Sequence, residues 1–452
     1  MIKKTISLSF ITLFFSSCIS LAPKLEIKKE DIVPNELKNN EDLSEYSQIT
    51  LDNFIEDESL KKIVNLALEN NKDIQIALLN IEASKALYRI EESQYFPTLD
   101  ASGNFIRQKT DSAISNNYKA NLGTSFELDL FGRIKSLNDV AKNNFLATKY
   151  TSQATKLSLI SQTINSYLSL VSNIYNLKLS KDILKNLEDV YTLTQKKYDI
   201  GMTNKEDVLN SYSTLKDSQN DILNFETQIQ KDLNSLEFLT SSKIDLESIN
   251  DDFVNEKYLK LISTGISSNV LFNRPDIFEA EYNLRAKNAN IGVARAAFFP
   301  SISLTASTGY ASSSLSNLFN GTNIWQFSPS INLPIFSGGE NMAKLDLSNT
   351  QKEIALKEYE KTIQNAFKEV NDALATRKNI MQKIENQKEL VKSLLDSYNI
   401  AFNSYKIGYG TYLNMLISQR TYINAQKTLV KIYLEELENR NELFKTLGGS
   451  LE

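Results

Sequence analysis

An internal duplication limits the folds that this chain of 452 residues can adopt. Matching positions recur at spacings of 203 to 207 residues, as in Asp73 and Asp276, Pro97 and Pro300, Gly201 and Gly408. Repetition at a near-constant spacing indicates that one structural unit is used twice. We therefore predict one repeat over residues 59–243 and a second over residues 273–449, separated by a segment at residues 244–272.

Glycine and proline, with 14 and 7 residues, divide each repeat in the same way. Both types are absent from the 68 residues between Gly132 and Gly201, and from the 68 between Gly339 and Gly408. Within both runs apolar residues recur every three or four positions, which indicates helices packed side by side in coiled-coil fashion. Each run predicts a helix about 100 Å long. A plain two-helix coiled-coil stalk has the same pattern and is an alternative.

Shorter helices are predicted on both sides of each long helix. In the first repeat they cover about residues 71–94 and 204–240, and their summed length nearly equals that of one long helix. Two short helices stacked end to end can therefore run antiparallel beside a long one. Gly201 and Gly408 are predicted to close the reversing turns, because glycine readily takes a positive φ at a helix C-terminus.

Two Phe-Pro pairs mark a change of apolar period, from about 3.6 residues to about 2. Pro97 in the first repeat and Pro300 in the second are predicted to be the junctions between helix and strand. Four strands are predicted, at about residues 99–107, 118–130, 302–310 and 325–333. They form two hairpins, with connections predicted at residues 108–117 and 312–324.

The alternation of these strands fits either a half-buried soluble sheet or a membrane barrel with one lipid-facing side. One set of positions holds Ser, Thr, Gly, Asn and Gln, the other holds large apolar residues, and aromatic residues gather near the strand ends. This composition favours a membrane barrel over a soluble sheet. Four strands alone cannot lie in lipid, because the edge N–H and C=O groups would lack hydrogen bonds. Other copies must close the sheet, and strand number leaves a dimer, a trimer and a tetramer open.

The N-terminus has the organisation of a secretory signal, predicted at residues 1–17. Lys3 and Lys4 precede a short apolar run and small residues, a stretch too short to span a membrane. Cys18 follows directly in Phe-Ser-Ser-Cys, which resembles a bacterial lipobox. The resemblance implies a lipid on Cys18 and transfer to the outer membrane. Ordinary cleavage beside an incidental cysteine is the alternative.

The residue types that are missing exclude several kinds of chemistry. The sequence has no histidine and one cysteine, which excludes histidine acid/base catalysis, a Cys/His zinc site and internal disulfides. A net charge of −5 disfavours nucleic acid as a partner, and no G-x-x-x-x-G-K loop occurs. We expect no enzymatic activity, cofactor or metal. A carboxylate-dependent hydrolase is the remaining enzymatic alternative.

Three longer motifs carry a family resemblance: AFFPSISLTASTGY, GISSNVLFNRPDI and SYKIGYGTYLNMLISQRTYINAQKTL. They resemble the TolC/OprM-type outer-membrane factors, in the NodT-like lipoprotein branch, and the similarity extends over about residues 55–449. The resemblance implies an α+β membrane protein, a trimer in which a twelve-stranded β-barrel continues into a twelve-helix periplasmic α-barrel. An equatorial belt would be built from residues 18–58, residues 244–272 and the C-terminus.

The same resemblance implies a function. The chain would be the outer-membrane exit duct of a tripartite multidrug efflux system, with a periplasmic adaptor and an inner-membrane transporter of the RND class as partners. Two alternatives remain: the exit duct of a type I protein secretion system, and a non-conducting coiled-coil surface lipoprotein.

The family also implies a gate at the periplasmic tip of the helices. Asp207 lies six residues after Gly201 and matches an aspartate that bonds a tyrosine of the second repeat, for which Tyr405 is the match. The resemblance therefore implies a latch between Asp207 and Tyr405. The alternative is that Asp207 caps the outgoing helix.

The chain departs from the family pattern at the second tip. Asn414 and Ile417 stand where the family often has inward-facing aspartates, and Gly410 replaces an arginine of a second latch. Because amides attract cations less than carboxylates do, we expect weak block by multivalent cations. The closed constriction would then be apolar, at Met415, Leu416 or Ile417.

Overall fold

The computed structural model describes residues 20–26, 50–111, 113–249, 253–254, 257–262 and 268–449. Cys18, the predicted signal at residues 1–17 and most of the segment 18–58 lie outside the described residues.

The described helices follow the predicted order in both repeats. After a single helical turn at Leu51–Phe54, the first repeat contains α1 (Glu58–Asn70), α2 (Lys72–Ser93), α3 (Arg133–Asp199) and α4 (Lys205–Thr240). The second repeat contains α5 (Pro275–Ala296), α6 (Glu340–Lys406) and α7 (Tyr412–Thr446). Helices α3 and α6 each have 67 residues, so the prediction of two long helices is confirmed.

One antiparallel sheet contains the four predicted strands in the order β1-β2-β3-β4. The strands are β1 (Thr98–Lys109), β2 (Ile114–Leu128), β3 (Ser301–Ser312) and β4 (Thr322–Asn332). Each repeat contributes one hairpin, and the pairing of β2 with β3 joins the two repeats. Pro329 lies within β4, which is an edge strand and so tolerates a residue without an N–H donor.

The predicted hairpin connections, residues 108–117 and 312–324, were too long. In the structure the connections cover residues 110–113 and 313–321. Gln108 pairs with Ser115, and Thr322 pairs with Ala311. Polar residues of the predicted connections, Gln108, Ser115 and Thr322, therefore continue the strands. The physical reason is that the ladder satisfies backbone N–H and C=O groups whatever the polarity of the side chain.

The helix-to-strand junctions are alike in the two repeats. Phe96 N donates to Ser93 O over 3.0 Å, and Phe299 N donates to Ala296 O over 3.0 Å. The next residue is proline in each case, and the strand begins directly after it. Because proline disfavours helical geometry in the residue before it, Pro97 and Pro300 stop the helical path at the same point in both copies.

The chain divides into two compact units, and one of them contains the sheet. It comprises Leu79–Thr151 and Asp276–Thr362 with an N-terminal stretch, of which residues 20–26 are described. This stretch lies on α5: Arg295 Nη1 donates to Leu21 O over 3.0 Å, and Asn288 Nδ2 donates to Pro23 O over 2.8 Å. A Cβ at Gly292 would lie 2.9 Å from Ala22 N, so only glycine permits this approach.

The second unit has its main core where three chain segments meet. Ile55 and Leu259 form an antiparallel bridge, and the rings of Phe54 and Phe444 stack with centroids 4.3 Å apart. The segment before α1, the inter-repeat segment and the end of α7 therefore share one core.

Arg274 adds a hydrogen bond and an ion pair to this core. It is largely buried, donates through Nη1 to Thr446 O over 3.0 Å, and pairs through Nη2 with Glu369 at 2.7 Å. The arginine of the Arg-Pro-Asp-Ile motif thus joins the C-terminus to α6.

Candidate gate and conduction surface

The register separates the side chains of the sheet into two faces, because directly paired residues point to the same side. One face is predominantly apolar and continues across all four strands: Leu99, Phe105, Tyr118, Leu122, Phe126, Leu128, Ile302, Leu304, Tyr310, Trp325, Phe327, Ile331. Trp325 and Ile331 are 77% and 70% exposed in the single chain. An apolar surface of this extent requires an apolar environment.

The opposite face of the sheet is polar. Its side chains are mainly hydroxyls and amides: Ser102, Asn104, Asn121, Ser125, Ser303, Thr305, Ser307, Gln326, Ser328, Ser330. Ser303 and Ser330 hydrogen-bond across the strands at 2.7 Å. Of the few charges on this face, Glu127 accepts two hydrogen bonds from Arg133, at 2.9 and 2.7 Å. This face suits contact with water.

The two helical tips reverse direction through the same hydrogen-bonded turn. Gly201 has φ of +77° and Gly408 has φ of +87°. In the first tip Met202 N donates to Lys197 O, and Gly201 N donates to Tyr198 O. In the second, Tyr409 N donates to Ser404 O, and Gly408 N donates to Tyr405 O. This is the Schellman pattern, which satisfies the last carbonyl groups of a helix and needs a positive φ at the glycine.

Side-chain caps begin the outgoing helices. Asn204 is the N-cap of α4 and accepts from Asp207 N over 2.9 Å. Thr411 is the N-cap of α7 and accepts from Asn414 N over 3.3 Å. The alternative that Asp207 is the cap is therefore wrong, because Asp207 lies one turn inside the helix and Asn204 holds the cap position.

Asp207 and Tyr405 do not hydrogen-bond to each other within this chain. The Tyr405 hydroxyl donates to Thr194 Oγ1 over 3.0 Å, and the Asp207 carboxylate accepts from the Thr203 hydroxyl. Tyr405 is 3% exposed and packs against α3, which places its hydroxyl beside Thr194. The latch implied by the family is therefore not formed within the single chain. Tyr405 and Asp207 each hydrogen-bond to a threonine instead.

The charge of Asp207 still acts on the phenols nearby. Burial raises the pKa of Tyr405 and, with the Asp207 carboxylate adding to it, outweighs the opposing hydrogen bond with Thr194. Burial also raises the pKa of Tyr412, and Tyr405 and Asp207 add to that effect. Their rings meet edge to face with centroids 5.7 Å apart. Both hydroxyls therefore stay protonated and able to donate at physiological pH.

The residues of the second tip divide between surface and core. Asn414 and Ile417 are exposed on α7, Ile417 at 55%, whereas Met415 is fully buried and Leu416 is 9% exposed. Met415 and Leu416 pack in the cluster around Tyr405, so neither is available to form a constriction. Of the three apolar residues considered from the sequence, Ile417 alone presents its side chain to the surface.

An arginine, as the family pattern suggests, would be crowded at Gly410. A Cβ at this position would lie 3.0 Å from the Cβ of Ser404. Sequence reasoning also missed Thr194, Lys197 and Tyr412, which contact or surround Tyr405. Of these three residues, only Lys197 has a sequence signal, because it lies directly before the Tyr-Asp-Ile-Gly motif.

Within the described ranges, no three His, Cys, Asp or Glu side chains are grouped so as to hold a metal ion. None of the helices in the described part of the chain has the length and apolar character needed to cross a membrane.

A family model described as "Outer membrane efflux protein" matches residues 63–242 and 266–449. The two matches confirm the tandem repeat. The chain is 37% identical over 406 residues to the antibiotic efflux pump outer membrane protein ArpC of Pseudomonas putida, covering 88% of this chain and 84% of the relative. It is 34% identical over 403 residues to the cation efflux system protein CusC of Escherichia coli O157:H7, covering 88% and 87%.

Solved structures agree with the family match. The open state of the MtrE outer membrane channel of Neisseria gonorrhoeae superimposes with a TM-score of 0.86 at 30% identity, covering 96% of this chain and 99% of that one. The predicted fold class is thereby confirmed.

Proposed function

Because this chain belongs to the outer membrane efflux protein family, we propose that it is the exit duct of a tripartite efflux system. The duct conducts substrates passively from an inner-membrane transporter and a periplasmic adaptor to the exterior. One observation carries the proposal: the sheet has an apolar face, a polar face and two unpaired edges. Such a sheet is stable in lipid only when its edges are closed and its polar face meets water.

Closure by three copies is the proposed assembly. Four strands per chain give 3 × 4 = 12 strands, and the four-stranded sheet leaves β1 and β4 free to pair with neighbouring copies. Family membership favours the trimer over the dimer and the tetramer, which strand number alone left open. The helices α3, α4, α6 and α7 would form the periplasmic part of the duct.

The partners proposed are a periplasmic adaptor and an RND-class transporter. The sequence contains no G-x-x-x-x-G-K nucleotide-binding loop, so we propose that the transporter supplies the energy. The names of the relatives favour efflux over type I protein secretion, since they refer to antibiotic and cation efflux. No observation favours a non-conducting surface lipoprotein.

The proposed location is the outer membrane, with a lipid on Cys18 as a second attachment. Residues 20–26, which follow Cys18 closely, are held on α5 by Asn288 and Arg295. A lipid at Cys18 would therefore start from a fixed point of the protein. Mass spectrometry of the mature N-terminus tests the modification, and an unmodified cysteine would contradict it.

Deletion of the gene in its own organism, with complementation, tests the function. We expect the deletion strain to accumulate ethidium and to become more susceptible to antimicrobials. Complementation with Gly309→Leu should fail, because a Cβ at this position would lie 2.0 Å from Ala120 O and disrupt the sheet. A purified monomer that stays folded in buffer without detergent would contradict the proposal.

A further inference from the structure

Lys197 is a buried lysine in the last turn of α3, and it contacts both tip turns. Its side chain is among the buried ones, with the residue 7% exposed. The matching position of the second repeat, 207 residues later, is Ser404. At this position the first tip therefore carries a lysine and the second tip does not.

One residue takes part in both Schellman turns. The main-chain oxygen of Lys197 accepts from Met202 N over 2.8 Å in the turn of its own repeat. Its Nζ donates to the main-chain oxygen of Tyr405, which also accepts from Gly408 N over 3.1 Å in the other turn. Lys197 is thus hydrogen-bonded to the backbone of both reversals.

The side chain of Tyr405 is held from the same helix. Lys197 Nζ lies 4.2 Å from the centroid of the Tyr405 ring, within the range of a cation–π contact. One turn earlier on α3, Thr194 accepts the hydrogen bond of the Tyr405 hydroxyl over 3.0 Å. Helix α3 therefore contacts Tyr405 at its carbonyl, its ring and its hydroxyl.

The positive charge of Lys197 lies at the C-terminal end of α6. No ion pair found among the described residues involves Lys197, and burial lowers its pKa. Its acceptor is one of the last carbonyl groups of α6, where the helix dipole places partial negative charge. A cation there stabilises the helix end, and it does so only while α6 stays against α3.

We propose that the two helical tips act as a gate and that Lys197 is a positioning residue of it: Lys197 clamps the end of α6 to α3 through the Tyr405 carbonyl and thereby keeps the tip closed. The inference rests on the proposed conducting function. Because the acceptor is the main chain, the clamp persists when the Tyr405 side chain is changed to phenylalanine. It differs in this respect from a latch formed between two side chains.

The test is single-channel conductance of the purified, full-length trimer in planar bilayers. Lys197→Met removes the charge and the donor while keeping a long apolar side chain, and Lys197→Arg keeps both. Lys196→Met is the matched control, since Lys196 is the adjacent lysine and is exposed. We expect Lys197→Met to raise the ratio of open to closed channels at least about tenfold, because each of the three subunits loses one charge-assisted hydrogen bond.

Lys197→Arg should stay close to the wild type, and Lys196→Met should be unchanged. An equal ratio of open to closed channels in Lys197→Met and the wild type overturns the clamp. A wild-type trimer that does not conduct under any condition instead overturns the proposed function, so the two failures are distinguishable.

Folding and assembly are measured separately, as the change in electrophoretic mobility of the trimer on heating. If Lys197→Met does not assemble, Lys197→Gln, which keeps a donor and loses the charge, is measured in its place. An open fraction for Lys197→Gln equal to that of the wild type then counts against the clamp, and an intermediate rise supports it.

Discussion

The two tips share a backbone and differ in what holds them. Both use a positive-φ glycine, the same pair of turn hydrogen bonds and a side-chain cap on the next helix. Tyr198 of the first tip is 39% exposed, whereas Tyr405 of the second is 3% exposed. The duplication therefore kept the geometry of the reversal and changed the contacts of the equivalent tyrosine.

The differences cluster at positions that contact Tyr405 or Asp207. Relative to the first repeat, the second has replaced four residues: Thr194 by Ala401, Lys197 by Ser404, Thr203 by Gly410 and Asp207 by Asn414. The first tip thus provides donors, acceptors and charge, and the second provides the tyrosine that they hold.

Truncating the two tyrosines should separate the tips most strongly. Tyr405→Ala removes a buried ring and should destabilise its tip by about 3–5 kcal/mol, the usual cost of a large cavity. Tyr198→Ala is the matched variant at an exposed ring and should cost less than about 1 kcal/mol. Hydrogen exchange of residues 400–415 in Tyr405→Ala and of residues 193–208 in Tyr198→Ala measures the two losses of stability. Equal losses would show that the difference in burial of the two rings does not affect stability.

Replacing the two turn glycines should reveal what the tips have in common. Gly201→Ala and Gly408→Ala each place a Cβ on a left-handed backbone, at a cost of about 1–2 kcal/mol. Because the turns are alike, we expect similar losses of local protection in hydrogen exchange. A loss at Gly408 several times that at Gly201 would indicate that the turns are not equivalent.

The missing aspartate of the second tip can be restored. Asn414→Asp adds one exposed carboxylate per chain, and three such groups in a trimer should raise the affinity of multivalent cations about tenfold, since like charges near a pore attract counter-ions. The wild type should be blocked only weakly. Micromolar block of the wild type in planar bilayers would contradict this prediction.

The smallest expected effect is on pH dependence. Tyr405 and Tyr412 have pKa values raised above the ordinary value of 10.0, so their folded-state contribution is complete below that pH and is lost as pH rises through the raised values. We expect the closed state to weaken only in strongly alkaline solution, and Tyr405→Phe to reduce the dependence. Conductance measured against pH provides the check.

Much of the fold was predictable because it depends on local rules. The 68-residue runs without Gly or Pro gave helices of 67 residues, and Pro97 and Pro300 stand at the junctions expected of them. Strand ends were less predictable, because the ladder continues through Gln108 and Ser115, whose polarity resembles that of a loop.

The contacts of the tip could not be predicted from the sequence. The partner of the Tyr405 hydroxyl depends on which helix lies beside it, and Thr194 is 211 residues away along the chain. The identity of the cap depended on a shift of three residues, from Asp207 to Asn204, between side chains that cap equally well. The family pattern pointed to Asp207 and Tyr405 as partners, whereas the hydrogen bonds within the chain join Tyr405 to Thr194 and Asp207 to Thr203.

The N-terminal stretch on α5 limits the reach of anything attached ahead of it. Ser20 lies 3.4 Å from Ser136 through their hydroxyl oxygens, and Gly292 leaves space for Ala22. Two residues extend by at most about 7 Å, so an acyl group on Cys18 would leave the protein within that radius of Ser20. If Cys18 is lipidated as proposed, so short a tether would keep Ser20 near the bilayer surface, and lengthening it with a few serines would change its reach without touching a channel residue.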